Sequence, residues 1–593
     1  MLRWTLAILI VSVGLFVGAD AKMYIVDDDG FAQYHSIGEA LAVANDGDTI
    51  YVKTGTYREH IILNKSVTLA PPRGEEGIVS LEGDGRNDIG IEVVADGCKI
   101  EGLTISDFAG PGIYVESAAN EIRKNVFVDN VHGIFLNGTS GNVIENNKEQ
   151  GGYCGIVLLS SSGNTVTGNV AKNCTGSTEI PGRGILLNSA AKNSIIQCHA
   201  EGCDQGINLR SGSTENEIRG YDVISCRNGA VVEIGSEGNS IQDCAFENAT
   251  TAIALNAASK NLITNNSITN STNGIVLISS TENGVVENGL SGLDVGIIIS
   301  DVSSANVLTN NKIGAANTGI VIKASSENRF DGNVLSGVRF GLSVDGSTEE
   351  GLNNQISESN QIDGDPILYL YGQSDGIISG RQLGHITLAS CTNCTIEESS
   401  VTNDAIFVYS SSGCIIRNNV VSKAYGILMR GSDDNEIVGN EACENRYNGI
   451  MLRESNGNLI GENNLSSNEW YGVLLRESDS NKVLSNTIGE NGETGIKLIV
   501  SNEAEIAGNS VIGNGVGISL NGSSGCIVYR NNLIDNLVQA EDDGENLWDW
   551  GALKGGNYWS DHPCVGNPCH DSPRLIEGNN TDYYPFGERD GWA

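Results

Sequence analysis

The chain has 593 residues, of which 39% are hydrophobic and 18% charged, with 75 Gly, 9 Pro and a net charge of −39. It is too apolar for a disordered chain, and so little Pro suits many short strands. The negative charge repels phosphate backbones and excludes nucleic acid as a partner.

The first 21 residues read as an export signal. Arg3 supplies the positive start, Trp4 to Val17 an apolar run short for a bilayer, and Ala19-Asp20-Ala21 a cleavage site. A mature chain starting at Lys22, secreted or held in the cell envelope, is expected, with no transmembrane anchor after cleavage; an uncleaved anchor is the alternative. The 14 cysteines permit disulfides in that setting. Asn-x-Ser/Thr sequons, as at Asn64, Asn137 and Asn521, allow glycosylation where the host has the machinery.

Residues 22–72 are expected to form an N-terminal cap and the first coils. Ser36 to Ala44 reads as a short amphipathic helix ahead of a strand at Thr49-Ile50-Tyr51-Val52. From Gly112 to Gly517 a phrase Gly-Ile-x-Leu returns about every 22 residues, as in Gly133-Ile134-Phe135-Leu136 and Gly155-Ile156-Val157-Leu158. A fixed period of this length marks a stacked solenoid. The phrase alternates with strand periodicity, so each repeat predicts one coil of a parallel β-helix, with about 4.8 Å between coils. Ile134, Ile156, Ile185 and Ile207 would stack as one inward ladder, and Leu136, Leu158, Leu187 and Leu209 as a second. A column of Asn (Asn142, Asn164, Asn193, Asn216 onward) belongs at a tight turn, where Asn tolerates left-handed angles and bonds the Asn above and below.

The first half of the solenoid is expected over 73–348, an irregular joint over 349–404, the second half over 405–535 and an aromatic C-terminal cap over 536–593. The expected fold is therefore all-β: a parallel β-helix with a short N-terminal capping helix and an irregular aromatic C-terminal cap.

Chemistry is sought where the repeat is broken. Arg430, Arg453 and Arg476 hold one outward place in three successive coils, with Lys497 slightly displaced in the next. Like charges about 5 Å apart repel unless something lies between them. Two readings stand: a groove gripping an anionic ligand such as a uronic-acid polymer, or a row neutralised by Glu454, Glu477, Asp433 and Asp479. Val157, Leu186, Val276, Ile298 and Val321 form an outward apolar strip that suggests a partner, a sugar face or a covering loop.

His562, Cys564, Cys569 and His570 lie within nine residues. They suit zinc or copper, or a Cys564–Cys569 disulfide closing a small loop. Cys394 with Cys414, and Cys203 with Cys226, occupy equivalent places in neighbouring coils, as disulfides or as reduced ladders. Asp27-Asp28-Asp29-Gly30 and Asp542-Asp543-Gly544-Glu545 give loose support for calcium, though neither follows an EF-hand loop.

The chain resembles the NosD-type β-helix proteins of the pectin-lyase-like superfamily, common in archaeal and some bacterial envelopes. The resemblance is carried by Asp46-Gly47-Asp48-Thr49-Ile50-Tyr51-Val52 with Gly55-Thr56-Tyr57, by the joint from Pro366 to Thr395, and most specifically by Gly556-Asn557-Tyr558-Trp559-Ser560-Asp561 with Asp582-Tyr583-Tyr584-Pro585-Phe586. It implies a right-handed helix, a link to copper delivery and kinship with carbohydrate-binding and sugar-hydrolysing proteins. A calcium-like run that relatives often carry after the Tyr-Trp-Ser-Asp motif is replaced here by His562 to His570. The Gly-His-Gly and Arg-x-Lys phrases of polygalacturonases and the Asp-Pro-His phrase of epimerases are not found in the sequence.

The leading expectation is an envelope β-helix that binds or organises surface polysaccharide without turnover, with other envelope proteins as further partners. The alternatives are a polysaccharide lyase, hydrolase or epimerase working near Arg430, Arg453 and Arg476, and a copper-handling accessory protein.

Overall fold

The computed structural model describes residues 21–75, 79–84, 88–177, 179–345, 348–578 and 580–593. The expected export signal lies outside them save for Ala21. The fold is a right-handed parallel β-solenoid of about 24 turns. A typical coil holds three strands, such as His132–Asn137, Val143–Glu145 and Lys148–Gln150. Successive coils pair in parallel, so Ile134 meets Ile156, Ile185 and Ile207, and Leu136 meets Leu158, Leu187 and Leu209. All eight are buried and form the core column.

The repeat Gly has a steric cause. A Cβ on Gly133 would stand 2.6 Å from the carbonyl oxygen of Gly155 in the next coil, and one on Gly184 2.6 Å from that of Gly206. The Asn column is buried and hydrogen-bonded. The backbone N–H and Nδ2 of Asn142 both donate to Oδ1 of Asn164 at 3.0 Å, and Asn164 does the same to Asn193. The left-handed conformation expected of these Asn falls instead on the residue before each, among them Gly141, Lys192, Glu215 and Glu282. Taking the tight bend there leaves the Asn amide free to turn inward and bond its neighbours.

An α-helix over Ile37–Val43, capped by the Ser36 side chain, buries Ile37, Ala40 and Leu41 at the N-terminal end. At the far end the buried Trp548 and Trp559 donate to Asp542 (2.7 Å) and Asp582 (2.9 Å).

The solenoid is not one straight rod. The strands Gln361–Ile362 and Asp365–Tyr371 pair antiparallel, so the chain reverses between them, at Asp363 and Gly364, which have φ of 50° and 95°. A second arm starts there. Its front sheet runs through Asp365–Tyr371, His385–Ala389, Ala405–Tyr409, Gly426–Arg430, Ile450–Arg453, Tyr471–Arg476, Thr494–Ile499, Val516–Asn521 and Val538–Asp542. The outward side chains Ile367, Tyr369, Ala405, Phe407 and Tyr409 of its first strands join the core of the first arm and close that arm's last coil.

The closure is polar as well. The edge strand of the first arm leaves backbone donors that require partners. Gly341 N and Leu342 N donate to the Asp404 carboxylate at 3.1 and 3.0 Å. Asp404 also bonds His385 Nδ1 (2.7 Å), whose Nε2 meets Thr387 Oγ1 (2.6 Å). All three side chains are buried, which makes this acid–imidazole–hydroxyl set a weld between the arms.

Candidate functional site

Beyond the weld, the front sheet emerges from under the first arm. Its outward residues form two columns. The central column runs Tyr369, Thr387, Phe407, Leu428, Met451, Leu474, Lys497, Ser519 and Glu541. The lateral column runs Tyr371, Ala389, Tyr409, Arg430, Arg453 and Arg476, then Ile499 and Asn521. The three Arg are therefore direct neighbours in consecutive coils, and Lys497 stands in the central column.

Exposure of the guanidinium side chains rises away from the first arm, from 20% at Arg430 to 38% at Arg453 and 48% at Arg476. Arg430 Nη1 pairs with Asp345 of the first arm at 2.7 Å, and its Nε is 3.7 Å from Glu454. Arg453 is 3.2 Å from Glu454 and Arg476 3.5 Å from Glu477. Asp433 and Asp479 do not join the row; each accepts a backbone N–H in the turns, from Asn456 and Asn502. Lys497 Nζ donates to Ser519 Oγ at 2.8 Å and to Asn521.

On the other side of the central column lies a rail of aromatic rings. Phe340 of the first arm stacks on Tyr425 (centroids 4.0 Å apart). Tyr425 meets Tyr447 at 5.3 Å, and Tyr447 lies nearly parallel to Trp470 at 4.8 Å. Tyr471 stands edge-on to Trp470 at 6.3 Å. Burial and the Glu493 carboxylate push the Tyr471 phenol up to about 12, keeping it a neutral donor. The open sheet thus offers a floor of half-buried Leu428 and Met451, continued by the buried Leu474, between a cationic and an aromatic rail. Sequence reasoning found the Arg column and missed the rings. Its one signal was Tyr or Trp just ahead of the repeat Gly at Gly426, Gly449 and Gly472.

The outward apolar strip of the first arm is largely covered. Val157, Leu186, Val276 and Val321 are less than a tenth exposed and Ile298 is half-buried, because side-chain columns on both sides enclose the strip. Arg183, for example, stands beside the strip and bonds Gln205 in its own column and Asn208 in the strip, both at 3.1 Å.

In the C-terminal cap, Cys564 and Cys569 are joined in a disulfide. Their sulfurs are no longer free for a metal. His562 Nε2 contacts Ser572 O and Oγ, and His570 packs edge-on to Tyr584. The pairs Cys203 with Cys226 and Cys394 with Cys414 are free, buried thiols rather than disulfides. Parallel stacking holds their Cβ atoms near the coil spacing of about 4.8 Å, wider than the roughly 3.8 Å of a disulfide. Burial pushes the Cys414 thiol up to about 11, away from the thiolate that reacts or binds metal. The calcium reading of Asp542 yields to structure, since its carboxylate accepts from Trp548, Asn546 and Gly544. Among the described residues, one set of three or more His, Cys, Asp or Glu brings its ligand atoms within 4.8 Å: Asp27, Asp28 and Asp29. Asp27 pairs with Lys53 at 3.1 Å and Asp28 accepts from Thr56 N.

The profile of the family described as periplasmic copper-binding protein (NosD) matches residues 43–241, 210–365 and 352–564. The chain belongs to this family. The family is periplasmic by its description, in agreement with an exported envelope protein, and among the described residues no helix is long and apolar enough to cross a membrane. The residues present do not fit copper well: the tail thiols are consumed, the stacked thiols are buried in the core, and the Asp27 to Asp29 set offers hard oxygen donors. A comparison with curated proteins finds no match. Solved structures similar to the chain include a PL6 family alginate lyase, AlyGC (12% identity, 89% of this chain and 98% of that one, TM-score 0.40). Others are the catalytic domain of a GH87 α-1,3-glucanase in complex with tetrasaccharides (15%, 58% and 69%, 0.40) and the Dettilon tailspike protein (14%, 53% and 64%, 0.35).

Proposed function

We propose that this NosD-family protein binds an acidic polysaccharide of the cell envelope on the open front sheet of its second arm, holding the polymer without cleaving it. The observation that carries the reading is the pairing of the Arg430, Arg453 and Arg476 column with the parallel rail of Tyr447, Trp470 and Tyr471. Guanidinium forks match carboxylates bidentately, and flat rings offer rigid apolar area with a polar tip. The flanking carboxylates Glu454 and Glu477 are ion-paired, so they act as counter-ions that an incoming uronate displaces. Calorimetry with a polyuronate tests the reading: saturable binding that is lost in Arg453→Ala supports it, and equal binding by parent and variant sinks it.

A further inference from the structure

The groove is open at one end only. Both rails begin at the first arm and run away from it. The lateral column passes from the buried Tyr409 to Arg430, which is tied to Asp345, and then to progressively more exposed Arg453 and Arg476. The aromatic rail starts at the buried Phe340, stacked on Tyr425, and ends at Trp470, 41% exposed. Two more contacts brace the corner: Arg446 Nη1 donates to Arg339 O at 2.6 Å, and Arg339 lies 3.9 Å from Glu469. The last coil of the first arm therefore rises from the sheet as a wall across both rails. The same sheet continues beneath that wall, where Tyr369, Thr387 and Phe407 are buried.

From this geometry, and resting on the polysaccharide reading above, we infer that the groove receives the terminus of an acidic chain rather than an internal segment. A chain lying along the rails meets the first arm within a short distance of Arg430. The stretch from Arg430 to the coil of Lys497 spans three coil steps, about 14 Å. Only a free end reaches Arg430 and Tyr425 at the foot of the wall. An internal segment would need to turn sharply at the wall and forgo the floor.

The two modes differ in how affinity depends on chain length. An end-binding groove sees one site per chain, whereas a site for internal segments gains registers in proportion to length. The probes are size-fractionated oligogalacturonates, polygalacturonate, and the same polymer with both termini covalently blocked. Once the oligomer fills the groove, a tenfold longer chain is expected to leave Kd per mole of chain within about twofold, and blocking the termini is expected to abolish binding. A Kd per chain that falls about tenfold with tenfold length, or undiminished binding of the blocked polymer, overturns the inference while leaving the groove intact. Failure of every probe to bind the parent protein sinks the groove and the inference together.

Discussion

The front sheet of the second arm is one sheet with two fates. Under the first arm its lateral column reads Tyr371, Ala389 and Tyr409; in the open it reads Arg430, Arg453 and Arg476. Backbone, pairing and register are the same on both sides of the boundary. Side-chain chemistry alone separates a surface that welds from one that waits for a ligand, and Arg430 stands on the boundary with its guanidinium tied to Asp345 of the wall.

The weld is the place to break this contrast most severely. Asp404→Ala leaves His385 and the N–H groups of Gly341 and Leu342 without their carboxylate, and removing one member of a buried pair costs about 3–5 kcal/mol. Urea unfolding is expected to show the arms separating in a transition of their own, with new proteolytic cuts near Gly364. A single unchanged transition would mean that apolar contacts alone hold the corner. On the open side, Arg453→Ala is expected to weaken polyuronate binding by about 1.5–3 kcal/mol, while Arg453→Lys recovers part of it because a point charge replaces a fork.

A third test contrasts two buried carboxylates. Asp404 has partners, whereas Glu149 points into the core of the first arm and neither of its oxygens has a hydrogen-bond partner. Burial pushes the Glu149 carboxyl from its ordinary 4.5 up to about 8. Between those values the folded protein holds a proton that the unfolded chain has lost, so stability falls as pH rises across that window and levels off above it. Glu149→Met is expected to remove this dependence and to stabilise the protein by about 1–3 kcal/mol near pH 8. Thermal melts across pH decide it, and a parent curve that rises from pH 5 to 8 would refute it. The smallest effect belongs to the exposed counter-ions. Glu454→Gln is expected to tighten polyuronate binding by at most about 1 kcal/mol and to steepen its loss with salt.

Much of this was legible in the chain because a solenoid writes its contacts at a fixed spacing. Counting from the repeat Gly places Ile134 inward and Arg453 outward, and one register rule aligns every coil. The same rule is blind to what does not repeat. Phe340 meets Tyr425, and Asp345 meets Arg430, across sequence gaps with no period, so the wall left no mark. The aromatic rail sits at turns where residue type changes from coil to coil, as Tyr447 gives way to Trp470 and then Glu493. The covered state of Val157 and Leu186 was missed for a related reason, since alternation says which way a side chain points and nothing about how high its neighbours stand.

The Asn column carries a further consequence. Each Asn is fed by the coil before it and feeds the coil after it, so a whole coil can be removed or added and the chain of amides closes again. Coils of 22, 23 and 29 residues all keep the column in step, so differences in length are absorbed between the strands and leave the stack of amides undisturbed. Growth and loss are thus quantised in units of one coil. The open groove behaves as a ruler whose length natural variation can reset in steps of about 4.8 Å, with the weld at Asp404 as its fixed zero.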